Sequence, residues 1–214
     1  MPIKRIAARL SVAPSTVLYW TKDIKLTPEQ RARNACGPQG PQNPERIARR
    51  AEACRRSARA RRLQSQQEGR ALAALQEPLH QAGCVLYWAE GTKSRNEVCL
   101  ANSDVHMQQL FIRFLRTYFA LDADRFGVRL NVYTGNGLSI AEIEDYWLDA
   151  LALPRSCLRK HTINHHPTSS SGTKKRKLPY GVCFLRVYKS TPIVQHIYGA
   201  IQEYAGFEET RWLD

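Results

Sequence analysis

Several kinds of chemistry are missing from this chain of 214 residues, and each absence removes a class of function. Its six cysteines (Cys36, Cys54, Cys84, Cys99, Cys157, Cys183) never form a C-x-x-C pair, which argues against a zinc site and against a disulfide framework. The longest apolar run, Gly83 to Ala89, is far too short to span a bilayer, and no signal peptide is visible. There is no glycine-rich phosphate loop, no nucleophile elbow and no Ser/His/Asp arrangement. His161, His165 and His166 lack cysteine or carboxylate neighbours at metal-ligand spacing. Acidic residues are scarce as well: 19 stand against 32 Lys and Arg, a net charge of +13. These absences lead us to expect a cytoplasmic, nucleoid-associated protein without a membrane partner and without a resident cofactor.

The excess charge is unevenly placed. Residues 1–80 hold 16 Lys or Arg against six acids, giving +10, whereas residues 81–214 hold 16 against 13, giving +3. Such a split describes a polyanion-binding arm joined to an ordinary folded domain, and nucleic acid is the leading polyanion. Arg outnumbers Lys 23 to nine, in keeping with a GC-rich bacterial genome.

The first 35 residues read as a helical module. Ile6, Ala7, Leu10, Ser11, Val12, Val17 and Trp20 stand at the offsets of a helix-turn-helix, with Ala7 small enough for a close helix crossing and Ser11 at the left-handed turn. Val12, Val17 and Trp20 are expected to close its small core. Pro14 suits the first turn of the second helix. Ser15, Thr16, Leu18, Tyr19 and Lys22 are then the residues expected to meet DNA. Thr27-Pro28-Glu29-Gln30 is a further helix start, with Thr27 as the cap and Gln30 three residues behind it. The stretch Ile6 to Gln30 resembles the helix-turn-helix of resolvase-type and other bacterial DNA-binding proteins. Residues 36–44, rich in Pro and Gly, read as a linker.

Residues 45–78 are expected to form one Arg-rich helix with hardly an apolar stripe, so that phosphate contact is its most plausible stabiliser. Arg49, Arg50, Arg55, Arg56, Arg59 and Arg62 are its candidate DNA contacts. A polar loop, 167–177, ends in Lys174, Lys175, Arg176 and Lys177, a cluster suited to holding phosphates without reading sequence.

From residue 79 the pattern becomes mixed α/β. A helix to Glu90 is closed by Gly91, and a strand is expected over Glu97–Ala101. A helix capped by Asp104 follows, then a strand over Val128–Tyr133 with period-two alternation. Ile140–Leu151 is helical, Leu158–Asn164 and Val182–Tyr188 are strands, and Ile193–Tyr204 is the last helix. The motif Gly83-Cys84-Val85-Leu86-Tyr87-Trp88-Ala89-Glu90-Gly91, with this order of elements, resembles the homing-endonuclease family named for its LAGLIDADG helix. The resemblance covers roughly residues 79–206. It implies a homodimer or pseudo-dimer in which Glu90 binds a divalent metal, Mg²⁺, beside a scissile phosphate. Lys93 and Arg95, just downstream, are further candidate DNA contacts and also candidate partners for a structural Glu90.

Only one good copy of the motif is present, Val85 and Trp88 are bulky, and the hairpin after the helix is cut down. These departures imply a domain that has kept the fold and lost cleavage, similar in plan to actinobacterial regulators that join such a domain to a helix-turn-helix. The expected fold class is α+β: a helix-turn-helix arm (1–35), a linker (36–44), the Arg-rich helix (45–78), then a LAGLIDADG-like α/β domain with an inserted helix (79–214). The expected function is sequence-directed binding of double-stranded DNA by a transcriptional regulator. A Mg²⁺-dependent endonuclease acting as a dimer is the alternative, and a nucleoid or RNA-binding protein using only the Arg-rich helix is a third reading.

Overall fold

A computed structural model describes residues 3–25, 27–30, 44–134, 137–164 and 178–213. They form an α+β protein with two compact units, Met1–Ser57 and Ala58–Asp214. Lys174, Lys175, Arg176 and Lys177, and most of the expected linker, lie outside the described residues.

In the first unit, helices α1 (Ile3–Leu10) and α2 (Pro14–Trp20) are joined by a tight turn. Ser11 takes the left-handed conformation (φ 51°), and the Val12 amide reaches back to the Ala7 carbonyl at 3.1 Å, so the turn satisfies an orphan carbonyl of α1. Ala7 and Val17 are buried where the helices meet. Trp20 and Leu10, however, are 58% and 56% exposed, so Trp20 does not close the core as its helical spacing suggested. Thr27 and Gln30 exchange reciprocal bonds: the Gln30 amide donates to Thr27 Oγ1 (3.2 Å) and the Thr27 amide to Gln30 Oε1 (3.0 Å).

Helix α3 (Pro44–Ala73) runs through the boundary between the units. Its later turns belong to the second unit, where Ser65, Gln66, Gly69 and Ala73 are buried. There α3 crosses α7 (Thr191–Ala205) so closely that a Cβ on Gly69 would lie 2.0 Å from the His196 carbonyl oxygen. One on Gly199 would lie 2.0 Å from that of Gln66. Gln66 closes the crossing by donating to Gln195 Oε1 (2.8 Å) and accepting from Gln202 Nε2 (3.2 Å). Tertiary packing therefore holds this half of the basic helix. The helix stops at Ala73, short of the expected residue 78, and Gln76 turns the chain with φ 58°.

The rest of the second unit comprises α4 (Pro78–Glu90), β1 (Val98–Asn102), α5 (Val105–Phe119), β2 (Phe126–Val132), α6 (Ile140–Leu151), β3 (Thr162–Ile163), β4 (Val182–Val187) and α7. The sheet order is β1-β4-β2-β3; β4 is antiparallel to both neighbours, and β2 and β3 run parallel. Val98, Leu100, Val128, Leu130, Leu185 and Val187 bury one face of the sheet in a core shared with Tyr87, Phe111, Phe114, Trp147 and Ile197 from the helices. The expected strand 158–164 survives only as a bridge at Leu158 and the two residues of β3. Between them the His161 ring interrupts the ladder: its Nδ1 accepts the Leu130 amide (3.1 Å), and its Nε2 binds Glu144 (2.9 Å). The reduced hairpin after α4 appears as a single bridge, Gly91 with Leu100. Among the described residues, no helix is long and apolar enough to cross a membrane.

Candidate nucleic-acid interface

Helix α2 presents the expected residues to solvent. Ser15, in its first turn, and Lys22, two residues past its end, are exposed, Leu18 is 58% and Tyr19 67% exposed, and Thr16 is half-buried. The Lys22 ammonium lies 4.9 Å from the centre of the Tyr19 ring, which couples a cation to the most exposed aromatic of the helix. Burial of Val17 towards α1 fixes this orientation, because residues on the opposite side of the helix must then point outward.

Along α3, Arg49, Arg50, Arg55 and Arg59 are exposed, and Arg56 pairs with Glu52 at 3.6 Å one turn away. Arg62 is different. It is half-buried, with Nη1 donating to the Leu213 carbonyl (2.8 Å) and Nη2 to Asn96 Oδ1 (3.4 Å), so the guanidinium is engaged inside the second unit rather than offered to phosphate.

Glu90, at the last position of α4, is exposed, and its carboxylate has no hydrogen bond or ion pair to another described residue. Neither Lys93 nor Arg95 holds it: the Lys93 ammonium instead donates to the Trp88 carbonyl at the open end of the helix. The carboxylate therefore keeps its hydration and carries no burial cost. Gly91 ends the helix for a steric reason, since its φ is an ordinary −72° and a Cβ there would meet the Tyr87 ring at 2.5 Å. Tyr87, itself buried, places its hydroxyl 3.0 Å from the Thr92 and Glu97 carbonyls and so pins the loop below Glu90. Among the described residues, no three His, Cys, Asp or Glu side chains gather as a metal-binding group. Among the described residues, Glu90 belongs to no such group.

A second basic surface was missed from the sequence. The face of the sheet turned away from the helices carries Arg129 on β2 and Phe184 and Arg186 on β4, with Tyr188 and Arg159 beside them. Register places Ala101, Phe184 and Arg129 in one row, and Cys99, Arg186 and Gly127 in the next. The Arg129 guanidinium lies 4.4 Å from the centre of the Phe184 ring. Arg159 Nε donates to Tyr188 Oη at 2.8 Å, and Tyr188 crosses the sheet over Gly127, where a Cβ would come within 2.5 Å of that hydroxyl. The alternation Val128-Arg129-Leu130 held the signal for Arg129. Nothing local indicated that Arg159 and Arg186 would join it.

Comparison with protein-family models, with curated proteins and with solved structures finds no match to this chain.

Proposed function

We propose that this chain is a sequence-directed DNA-binding protein, a transcriptional regulator that works in the cytoplasm on the nucleoid. The observation that carries the reading is the α1–turn–α2 pair, with Ser15, Leu18 and Tyr19 facing outward from a helix that opens at Pro14, and Lys22 just beyond it. A short helix held across a partner by Ala7 and Val17 has the dimensions to enter a major groove, where a hydroxyl and an aromatic side chain meet base edges. Arg49, Arg50 and Arg55 supply exposed cations on α3 for backbone phosphates, which give affinity and position without sequence information. The C-terminal unit is read as a homing-endonuclease-like domain without cleavage. Its homodimer would use the exposed Val85 and Trp88 of α4.

The test is a comparison of binding to specific and random duplexes. Genomic fragments selected by the protein should bind the wild type more tightly than random DNA, and Tyr19→Ala should narrow that gap. A wild type that shows no preference among sequences would sink the regulator reading.

One observation favours the nuclease as a second reading. Glu90 is exposed and unpaired among the described residues, so its carboxylate is free to bind a hard cation if a second chain brings more oxygen ligands. Specific double-strand cuts that require Mg²⁺ and vanish in Glu90→Gln would establish it.

A further inference from the structure

The open face of the sheet has a shape that a flat basic patch lacks. Between the Arg129–Phe184 pair and the Arg159–Tyr188 pair lies a narrow cleft, with Cys99 and Gly127 on its floor and Arg186 rising from the same row. Both floor residues are buried, Gly127 beneath the Tyr188 hydroxyl, so the cleft is shallow and its exposed group is the Arg129 guanidinium. Each arginine keeps donors free. Arg186 uses Nε on Glu97 (2.7 Å) and is hydrogen-bonded to the Cys99 thiol as well, so it offers its remaining terminal N–H groups. Arg159 engages Nε on Tyr188 and Nη1 on the Ser156 and Leu158 carbonyls (2.7 and 2.8 Å), leaving Nη2. Arg129 is exposed and has no carboxylate beside it among the described residues.

We propose that this cleft binds an unpaired nucleotide of a single-stranded nucleic acid. The base lies on the outer face of the Arg129 guanidinium, which Phe184 supports from below. The flanking phosphates take the free N–H groups of Arg186 and Arg159. Planar guanidinium–aromatic stacks suit an unstacked base because every base offers a π-face, and guanidinium forks match phosphate oxygens. A base still stacked in a duplex is shielded on both faces, so the exposed face of the Arg129 guanidinium suits an unpaired base. The proposal rests on the reading of the chain as nucleic-acid binding, but on a different surface from α2.

The experiment uses the full chain and two fluorescently labelled probes, a short oligothymidylate and a mixed-sequence duplex, followed by anisotropy. Arg129→Ala should weaken oligothymidylate binding by roughly tenfold, the loss expected for one stacked base, and leave duplex affinity within about twofold. Arg129→Lys keeps the charge and loses the planar stack, so it should lose most of the same affinity. The proposal is overturned if the wild type does not bind the single strand, or if Arg129→Ala leaves that binding unchanged. It is equally overturned if single strand and duplex weaken together, which would make the face a duplex-binding surface, or if Arg129→Lys binds like wild type. Tyr19→Ala separates the two readings: it should lower the preference for selected genomic fragments over random duplex and leave oligothymidylate binding unchanged, and an unaltered preference would count against the function of α2 without touching the cleft.

Discussion

Two buried histidines, His80 on α4 and His196 on α7, meet nitrogen to nitrogen at 2.9 Å, and His80 Nδ1 is 2.8 Å from Tyr204 Oη. One ring must donate and the other accept, so the two rings cannot both be imidazolium cations in this arrangement. Burial pushes His196 down to about 4, with His80 adding to the effect, and burial also lowers His80 against the opposing pull of Glu77. Cys84 and Tyr118 also face His80, the former at 3.7 Å, without supplying a charge near neutral pH. The unfolded chain takes up these protons near the ordinary histidine value, so it binds more protons than the folded chain between about pH 6.5 and 4. Stability should accordingly fall as pH drops through that window, with His196 contributing on the order of 3 kcal/mol. Urea midpoints measured from about pH 7 to about pH 4.5 check this, and His196→Asn should flatten the dependence. The glycine at 199 makes a second prediction at this scale. Helix propensity favours Gly199→Ala by about 1 kcal/mol, but the new Cβ would press on the Gln66 backbone rather than on a side chain that can swing away. Separating α3 from α7 wins the balance, and the variant should lose about 2 kcal/mol of stability in thermal or urea denaturation.

At the scale of elements, α2 and the end of α4 each carry exposed residues whose replacement should spare the fold. Tyr19 and Ser15 contribute nothing to the small core formed by Ala7 and Val17. Tyr19→Ala or Ser15→Ala should therefore leave the fold intact and cost ~1–3 kcal/mol of discrimination between specific and random DNA for each base-edge interaction removed. Melting of the α1–α2 pair in these variants would assign the residues to packing instead. Glu90 terminates a helix whose buried side is His80, Gly83, Cys84 and Tyr87. With the carboxylate in water, Glu90→Gln should change stability by no more than about 0.5 kcal/mol, in contrast to the loss expected had it been a buried ion pair. A melting curve decides between them.

For the whole molecule, the charge split of +10 and +3 sets what the proposed DNA binding predicts about salt. Affinity for random duplex DNA should fall steeply with salt as condensed counterions are released, and replacing Arg49, Arg50 and Arg55 together by Ala should reduce the log–log slope by up to ~3. Arg62→Ala should barely alter the slope, because that guanidinium is bonded to Leu213 and Asn96. It should instead destabilise the second unit. An unchanged slope in the triple variant would remove α3 from the interface.

Most elements and their local closures were legible in the chain alone: Ser11 at the turn, Thr27 with Gln30, the Asp104 cap on α5, and the alternation of β2. These features arise between residues a few positions apart, where periodicity and capping chemistry act without the rest of the fold. Tertiary structure decided which of the outward-looking residues are available. It withdrew Arg62 and Trp20 from their expected roles in opposite directions, one inward and one outward, and it left Glu90 in water. It also brought Arg129, Arg159 and Arg186 to one cleft by pairing β4 against β2 and holding Arg159 to Tyr188. No local pattern encodes that meeting, because it depends on strand pairings between distant segments, and those are set by which faces the helices of the core must bury.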